Sequence, residues 1–295
     1  MHPGQLTITA ETVRALVDDQ FPQWRDLPVE PIASAGTVNA IFRVGFDLAA
    51  RFPLRPGDPS LVRAELEQEA AAARSLVGTT RFPTPQPVAL GMPGYGYPSP
   101  WSVQTWVPGL DALRCDPSWS GALALDLAEF IRGVRAIPTN GRVFAGSGRG
   151  GSLPSHDEFM ATCLDASVDL LDVPPLRRLW THMRRLPRVD PDVMTHGDLI
   201  PGNVLVSDGR LAGVLDVGGL GPADPALDLV CAWHLFEPGP RAALRSALDC
   251  SDLTWERGRA WAFEQALGLV AYYAESNPPM SALGRRTLGR ILADS

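Results

Sequence analysis

The spacing of apolar residues changes part-way along the chain. Before about residue 108, short runs of β-branched and aromatic residues predict strands, whereas later apolar residues recur every three or four positions and predict helices. The helical patterns lie at 9–20 and 61–77, and then at 118–136, 156–171, 176–186, 224–236, 240–248, 253–273 and 281–292. The pattern therefore predicts an α+β chain in two domains, 1–107 and 108–295, with a hinge at about 104–109.

The first domain is predicted to be an N-terminal antiparallel sheet lobe with one main helix, the alanine-rich segment 61–77. Strand patterns lie at 31–44, interrupted by a turn, and at 48–52, 87–90 and 101–107. The turn Ser34-Ala35-Gly36-Thr37-Val38-Asn39 consists mainly of small residues. It could cover phosphates with its backbone N–H groups, or it could be an ordinary hairpin turn.

The mostly helical second domain contains a predicted hairpin between residues 204 and 215. Asp208-Gly209 is a strong hairpin-turn signal, and the apolar residues on both sides of it predict paired strands. Asp198 and Asn203 precede the first strand, and Asp216 follows the second. We therefore expect these three polar side chains to face one cavity.

These three residues suit phosphoryl transfer. The reaction needs a carboxylate to accept the proton of an attacking hydroxyl, and oxygen ligands to hold magnesium against nucleotide phosphates. Asp198 and Asn203 have the spacing of the base and the metal-binding asparagine in a kinase catalytic loop, and Asp216 stands where such enzymes have a metal-binding aspartate. Each residue alone could belong to a simple turn, but their combination with the hairpin predicts a phosphoryl-transfer site.

The composition changes this picture in one respect. The net charge of −7 arises from 26 basic and 33 acidic residues, and every one of those basic residues is arginine. Arginine must therefore fill any role that lysine has in a nucleotide site. The acidic balance argues against a nucleic-acid partner, and is typical either of a protein that binds a cationic substrate or of an ordinary soluble protein.

The cysteines and the apolar runs indicate where in the cell the protein is expected to be. The four cysteines lie far apart without a C-x-x-C pair, which argues against a zinc site and a compact disulfide framework. The longest apolar run, Ala266 to Ala274, is too short to span a bilayer, and the N-terminus lacks the apolar segment of a signal peptide. We expect a cytoplasmic protein without a membrane partner, either a monomer or a homodimer.

The sequence resembles the aminoglycoside phosphotransferase family, whose members have the bilobal protein-kinase-like fold. Three motifs carry the resemblance: His196-Gly197-Asp198-Leu199-x-Pro201-x-Asn203-x-Leu205, Gly213-Val214-Leu215-Asp216-x-Gly218 and Asp224-Pro225-Ala226-x-Asp228-Leu229. A looser match runs from about Gly36 to Gly109. The resemblance implies transfer of a phosphoryl group from ATP or GTP, with Mg²⁺, to a hydroxyl of a small molecule.

The resemblance also implies roles for individual residues of the second domain and the hairpin. Asp198 would be the catalytic base, and Asn203 and Asp216 would be the magnesium ligands. His196 and Asp228 would support the loop that carries the base.

In the first domain, the resemblance implies a nucleotide site. Arg51 stands where the family usually has a lysine that contacts the α- and β-phosphates, and Glu69 would be its ion-pair partner. Alternatively, Arg51 could be an exposed arginine on an edge strand. The backbone at Thr105 and Val107 would hydrogen-bond the purine.

The acceptor is the least defined part of the prediction. An antibiotic is favoured, an aminoglycoside first and a macrolide second. The alternatives are a kinase of a metabolite such as choline, homoserine or a fructosamine, and a non-catalytic nucleotide-binding scaffold.

Acidic residues on helices could bind a cationic acceptor or form a solvated surface: Asp157, Glu158, Asp165, Asp169, Glu264 and Glu275. Aromatic residues could line an apolar wall or belong to the core: Trp233, Trp255, Trp261, Tyr272 and Tyr273. His234 is predicted to be a core histidine.

Overall fold

A computed structural model describes residues 5–32 and 38–294 of the protein. Residues Ser34 to Thr37 of the possible phosphate-covering turn lie outside this range. The chain forms two compact units, each assembled from separate segments. The first comprises Met1–Val77, Pro83–Pro108 and Leu215–Gly218, and the second comprises Gly78–Phe82, Gly109–Val214 and Gly219–Ser295.

Ion pairs explain why two short segments pack with the unit to which their neighbours in sequence do not belong. Arg81, in the segment Gly78–Phe82, binds the carboxylates of Asp126 and Glu129, so this segment packs with the second unit. Asp216, in the segment Leu215–Gly218, binds Arg51, so that segment packs with the first unit. One break between the units lies after Pro108, and these two short segments depart from the sequence order.

The first unit is built on a five-stranded antiparallel sheet with the strand order β1-β2-β3-β5-β4. Its strands are β1 Val29–Ile32, β2 Asn39–Val44, β3 Leu48–Pro53, β4 Pro87–Gly91 and β5 Trp101–Thr105. On β3, Phe52 is fully buried against Trp101 of β5, with their ring centroids 4.7 Å apart. Because side chains alternate along a strand, Arg51 points to the opposite face of the sheet from Phe52.

Two helices accompany this sheet, and polar side chains cap the start of each. Helix α1 spans Ala10–Gln20, and the Thr9 hydroxyl accepts from the N–H of Thr12. Helix α2 spans Pro59–Ser75, and the Asp58 carboxylate accepts from two N–H groups of the first turn. Such caps satisfy backbone donors that have no partner inside the helix. The buried face of α1 joins the core on one side of the sheet.

The second unit contains two small antiparallel sheets that frame the candidate catalytic loop. One sheet has the order β6-β8-β9, and the other pairs β7 with β10. The strands are β6 Leu110–Asp111, β7 Val193–Thr195, β8 Val204–Ser207, β9 Arg210–Val214 and β10 Gly221–Ala223. The predicted hairpin is thus formed by β8 and β9. Asp208 and Gly209, both with positive φ, make its two-residue turn.

The remaining helices belong to the second unit. They are α3 Ala112–Cys115, α4 Gly121–Arg135, α5 Asp157–Ala166, α6 Val173–Met183, α7 Cys231–Leu235, α8 Pro238–Leu248, α9 Asp252–Tyr272 and α10 Pro278–Ala293. Helix α9 is buried around its circumference from Thr254 to Leu267, as expected of a helix that runs through a core. A Cβ atom at Gly284 of α10 would lie only 2.5 Å from the Ala266 carbonyl oxygen, so α10 packs directly against the backbone of α9. No helix in the described part of the chain combines the length and the apolarity needed to cross a membrane.

The structure departs most from the predicted elements at 224–236, where the sequence pattern predicts one continuous helix. Instead, a 3-10 turn covers Leu227–Val230 and is followed by the short helix α7. The reason is local competition, because the Asp224 carboxylate accepts from the N–H of Ala226 and stabilises a turn at this point. Similarly, the helix predicted over 156–171 ends at Ala166.

Candidate active site

A single buried carboxylate holds the loop between β7 and β8. Asp228, which is fully buried, accepts from the N–H of His196 at 3.0 Å and from the N–H of Gly197 at 2.8 Å. Gly197 has φ +84°, a conformation that favours glycine because a side chain would clash with the backbone. The Nδ1 atom of buried His196 accepts from the N–H of Asp198 at 3.2 Å. These bonds fix the backbone from which the Asp198 side chain projects.

Both carboxylate oxygens of Asp198 are hydrogen-bonded. Oδ1 accepts from Nε2 of Gln265 at 2.7 Å and from Nη2 of Arg149 at 3.0 Å. Oδ2 accepts from Nδ2 of Asn203 at 3.1 Å. The carboxylate is 35% exposed, so it is oriented by the protein and still open to a reactant.

Arg149 also belongs to a buried ionic cluster. Its Nη1 atom lies 4.0 Å from the Glu264 carboxylate, which is only 4% exposed. The other oxygen of Glu264 is 2.9 Å from Nδ1 of His156, and Nε2 of that ring is 3.2 Å from the carbonyl oxygen of Gly148. The hydrogen bond to Glu264 raises the pKa of His156, which outweighs the opposing effect of burial. With an acceptor at each ring nitrogen, the charged imidazolium fits this position.

Asn203 is oriented so that its amide oxygen remains available. Its Nδ2 group donates to the Asp198 backbone carbonyl at 2.9 Å and to the Asp198 carboxylate. Within residues 5–32 and 38–294, no group of three or more His, Cys, Asp or Glu side chains could hold a metal ion. An amide oxygen is nevertheless a ligand that Mg²⁺ accepts, and this ion commonly completes its shell with nucleotide phosphates and water. Asn203 therefore fits a magnesium site with few protein ligands.

In the first unit, Arg51 joins two carboxylates. Its Nη1 atom is 3.2 Å from Glu69, and its Nη2 atom is 3.2 Å from Asp216. Burial raises the pKa of Glu69, although the positive charge of Arg51 acts in the opposite direction. The Arg51 side chain is 13% exposed and lies on β3, between β2 and β5. The alternative interpretation, an exposed arginine on an edge strand, is therefore wrong.

The segment around Asp216 is conformationally constrained. Asp216 has φ +56°, in the left-handed region that few non-glycine residues adopt. Strained backbone of this kind is concentrated at functional sites. Two residues later, a Cβ atom at Gly218 would lie 2.6 Å from Cγ of Glu69, so only glycine allows this close approach to α2. The Asp216 carboxylate is 51% exposed and has one oxygen on Arg51, which leaves the other oxygen for a cation.

A cleft in the first unit lies beside the Arg51–Glu69 ion pair. It runs between α2 and the strands β4 and β5. Its polar lining includes Arg51, Glu69, Ser102 and Gln104.

The predicted hinge residues differ in the backbone groups they can offer a purine. The N–H of Thr105 donates to the Gln86 carbonyl at 2.8 Å, so only the carbonyl of Thr105 can contact a ligand. The Thr105 hydroxyl accepts from the N–H of Gln86 at 2.9 Å. Val107 follows the end of β5, and its side chain is buried. The expected contact of Thr105 is thereby restricted to its carbonyl oxygen.

Comparison with known proteins places this geometry in a family. A family model described as the phosphotransferase enzyme family matches residues 29–261. The chain belongs to the phosphotransferase enzyme family. It is 33% identical over 141 residues to an aminoglycoside 3'-phosphotransferase of Escherichia coli, an alignment that covers 45% of this chain and 52% of that protein. It is 31% identical over 154 residues to one from Streptomyces fradiae, covering 46% and 53%. The chain thus spans about half the length of the curated relatives it matches.

Solved structures extend the comparison to almost the whole chain. The GDP complex of aminoglycoside 2'-phosphotransferase-IIIa superposes with a TM-score of 0.73 and 20% identity, covering 98% of this chain and 100% of that one. A macrolide 2'-phosphotransferase from Brachybacterium faecium gives a TM-score of 0.62 with 19% identity, covering 92% and 97%. These likenesses confirm the predicted protein-kinase-like fold.

Sequence reasoning missed two residues that contact the Asp198 carboxylate. Arg149 lies 49 positions from Asp198, in the glycine-rich segment 140–153, whose sequence has no helix or strand pattern. Gln265 lies 67 positions away. The available signal for Gln265 was the polar pair Glu264-Gln265 inside an otherwise apolar stretch of α9, because buried polar side chains need partners.

The structure also distinguishes between the alternatives for the acceptor residues. Asp157 is bound by Arg184 and by the indole of Trp180, Asp165 is paired with Arg177, and Glu264 is buried. Trp233, Trp255 and Trp261 all belong to the core, so they do not form an open apolar wall. Tyr272, in contrast, is 57% exposed. His234 is a buried and fully hydrogen-bonded core histidine, as predicted.

Proposed function

We propose that this protein transfers the γ-phosphoryl group of ATP or GTP to a hydroxyl of a small-molecule antibiotic, with an aminoglycoside as the first candidate. The observation that carries the proposal is the state of Asp198. Its carboxylate projects from a loop fixed by Asp228, is oriented by hydrogen bonds at both oxygens, and remains partly exposed.

Asp198 acts as the proton acceptor in this proposal. The acceptor hydroxyl oxygen forms a bond to the γ-phosphorus while the bond from that phosphorus to the β–γ bridging oxygen breaks. ADP or GDP leaves with the electron pair of the broken bond, and the hydroxyl proton passes to the carboxylate. The oriented carboxylate contributes mainly by positioning the attacking oxygen.

The nucleotide is held by a second set of residues. Arg51 contacts the phosphates through its planar guanidinium, and Glu69 sets the direction of that side chain. Asp216 and the amide oxygen of Asn203 would each offer an oxygen ligand to Mg²⁺. When bound, Mg²⁺ neutralises charge on the β- and γ-phosphates. The carbonyl of Thr105 and the N–H of Val107 are the purine contacts.

An aminoglycoside acceptor is supported by three observations. The curated relatives are named aminoglycoside 3'-phosphotransferases, and one structure with the same fold is a complex with GDP and kanamycin. The acidic balance of the chain suits a polycationic acceptor. The proposed enzyme acts in the cytoplasm as a monomer or homodimer, without a nucleic-acid or membrane partner.

A macrolide is the second candidate, and the surroundings of the loop favour it. Ile200 follows Asp198 by two residues and packs with Leu113 and Tyr273 against a small apolar cluster formed by Leu269, Met280 and Leu283. The guanidinium of Arg149 beside Asp198 repels a nearby ammonium group. A bulky, weakly charged acceptor would meet less repulsion here.

The test is a coupled assay of nucleoside diphosphate release with Mg²⁺, ATP or GTP, and a panel of aminoglycosides, macrolides, choline, homoserine and fructosamines, followed by mass spectrometry of the products. We expect a phosphorylated antibiotic. We also expect a loss of about 10²- to 10⁴-fold in Asp198→Asn, the usual contribution of a general base. Turnover of a metabolite alone would replace the antibiotic assignment. Magnesium-dependent nucleotide binding without any product would instead support the scaffold alternative.

A further inference from the structure

A line of buried hydrogen bonds connects Asp198 with the C-terminal helix. Nε2 of Gln265 on α9 donates to Oδ1 of Asp198 at 2.7 Å. The Oε1 atom of the same amide is 3.1 Å from Nε2 of His234 on α7, and Nδ1 of that ring is 3.0 Å from the hydroxyl of Thr287 on α10. Three different helices therefore contribute to the surroundings of one carboxylate oxygen.

The chemistry of these groups allows one arrangement of donors and acceptors. A carboxylate only accepts hydrogen bonds, so the NH₂ group of Gln265 must face Asp198 and its carbonyl oxygen must face His234. That oxygen also only accepts, so Nε2 of His234 carries the ring proton. Nδ1 then accepts from the Thr287 hydroxyl, which shares its hydrogen with the Leu283 carbonyl at 3.0 Å. The order of donation is Thr287 to His234 to Gln265 to Asp198.

Burial keeps this order constant. Thr287 is 0% exposed, His234 2% and Gln265 6%. Burial lowers the pKa of His234 to about 3, so the ring stays neutral at the pH values at which enzymes are assayed. A neutral ring has one donor and one acceptor, which matches its two neighbours. A flipped Gln265 amide would set its oxygen against the Asp198 carboxylate and its NH₂ against the proton on His234.

We infer that Gln265 is a positioning residue for phosphoryl transfer, and that His234 and Thr287 select the amide orientation that directs its NH₂ to Asp198. This inference rests on the proposed function, because it assigns Gln265 to the reaction that Asp198 carries out. Arg149 and Asn203 also bind the carboxylate, but Arg149 is 28% exposed and Asn203 lies on the same loop as Asp198. Gln265 is the buried contact from outside that loop, which suits it to fix the position of Oδ1.

The first test is Gln265→Met, which keeps the length of the side chain and removes the amide. We expect kcat to fall about 10- to 100-fold, the scale of a base displaced by about 1 Å, while the KM for nucleotide stays within about twofold because the phosphate contacts lie elsewhere. Gln20→Met is the matched control, since the Gln20 amide binds the Met92 backbone in the first unit. Its kcat should equal that of the wild type.

Repeating the Gln265→Met substitution in the Asp198→Asn variant separates the positioning of the carboxylate from a general structural effect. In Asp198→Asn, introducing Gln265→Met should leave the residual rate unchanged, because the carboxylate that Gln265 positions is already absent. An equal fall in both backgrounds, or a thermal midpoint that falls in parallel with kcat, would overturn the inference in favour of a structural role. Full kcat in Gln265→Met would also overturn it.

Thr287 provides a second route if Gln265→Met does not fold. Thr287→Val removes the hydroxyl at nearly constant volume and should lower kcat, whereas Thr287→Ser keeps the hydroxyl and should restore most of it. Equal kcat in the two variants would contradict the inference. A wild-type protein that phosphorylates nothing would instead contradict the proposed function, so the two failures are distinguishable.

Discussion

Arg149 and Asp198 form an ion pair at 3.0 Å, and this pair places a permanent positive charge beside Oδ1 of the proposed base. Arg149 is contributed by the segment 140–153, whereas the other contacts of the carboxylate come from α9 and from the catalytic loop itself. The acceptor side of the site is therefore not uniformly negative, and several predictions depend on that charge and its neighbours.

Removing the charge should change the recognition of the acceptor. For Arg149→Met, we expect the KM for a polycationic acceptor to fall about 3- to 10-fold at low salt, because a repulsion on the order of 1 kcal/mol is removed. Added salt should shrink the difference between variant and wild type, since salt screens exposed charges. Arg149→Lys, which keeps the charge, is the control. A higher KM for the cationic acceptor in Arg149→Met would contradict the prediction.

Replacing the cation of the nucleotide site should weaken nucleotide binding. Arg51→Met is expected to raise the KM for nucleotide about tenfold, the scale of one lost charged hydrogen bond. Arg51→Lys should lie between the variant and the wild type, because one ammonium cannot reproduce the two-pronged contact with Glu69 and Asp216. Steady-state kinetics with varied nucleotide provide the measurement. The exposed Arg55→Met should behave as the wild type.

The buried carboxylate under the loop should contribute to stability. Asp228→Asn keeps the shape but presents an NH₂ group to one of two backbone N–H donors, leaving a buried donor without a partner. We expect the free energy of unfolding to fall by about 1–3 kcal/mol, together with a loss of activity. Urea unfolding provides the measurement, and Asp252→Asn, at a side chain that is 97% exposed, provides the control. Equal stability of the two variants would remove the proposed support role of Asp228.

The His156–Glu264 pair should make stability depend on pH. Because the pKa of His156 is raised above 6.5 in the folded protein, its contribution is fully present below about pH 6.5. That contribution is lost as the pH rises through the raised value. His156→Gln should therefore reduce the free energy of unfolding more at pH 6 than at pH 9, in spite of the opposing charge of Arg149. A destabilisation that is constant over this range would show that the charge of the ring does not contribute.

The sequence was sufficient to predict those elements that adjacent residues determine. The Asp208-Gly209 turn and the apolar residues on both sides of it encode the hairpin of β8 and β9 within a few residues. The helix predicted over 224–236 was wrong in part, because apolar periodicity does not register that the Asp224 carboxylate stabilises a competing turn.

The residues that contact the Asp198 carboxylate could not be predicted from the local sequence. Gln265 reaches Asp198 only because α9 runs through the core of the second unit, and nothing in the local pattern near either residue encodes that packing. Arg51 shows the same limit, since its position on an inner strand depends on the pairing of β3 with β2 and β5. Long-range packing decides such contacts, and it leaves little local signature in one sequence.

The arginine at the proposed nucleotide site, Arg51, also determines which chemical reagents can label that site. A reagent that acylates an amine beside bound phosphates needs a lysine side chain at that position. This chain has no lysine, and the guanidinium of Arg51 stays protonated and is a poor nucleophile. Labelling that depends on amine acylation would therefore overlook this protein, and lysine acetylation cannot regulate the proposed contact of Arg51 with the phosphates.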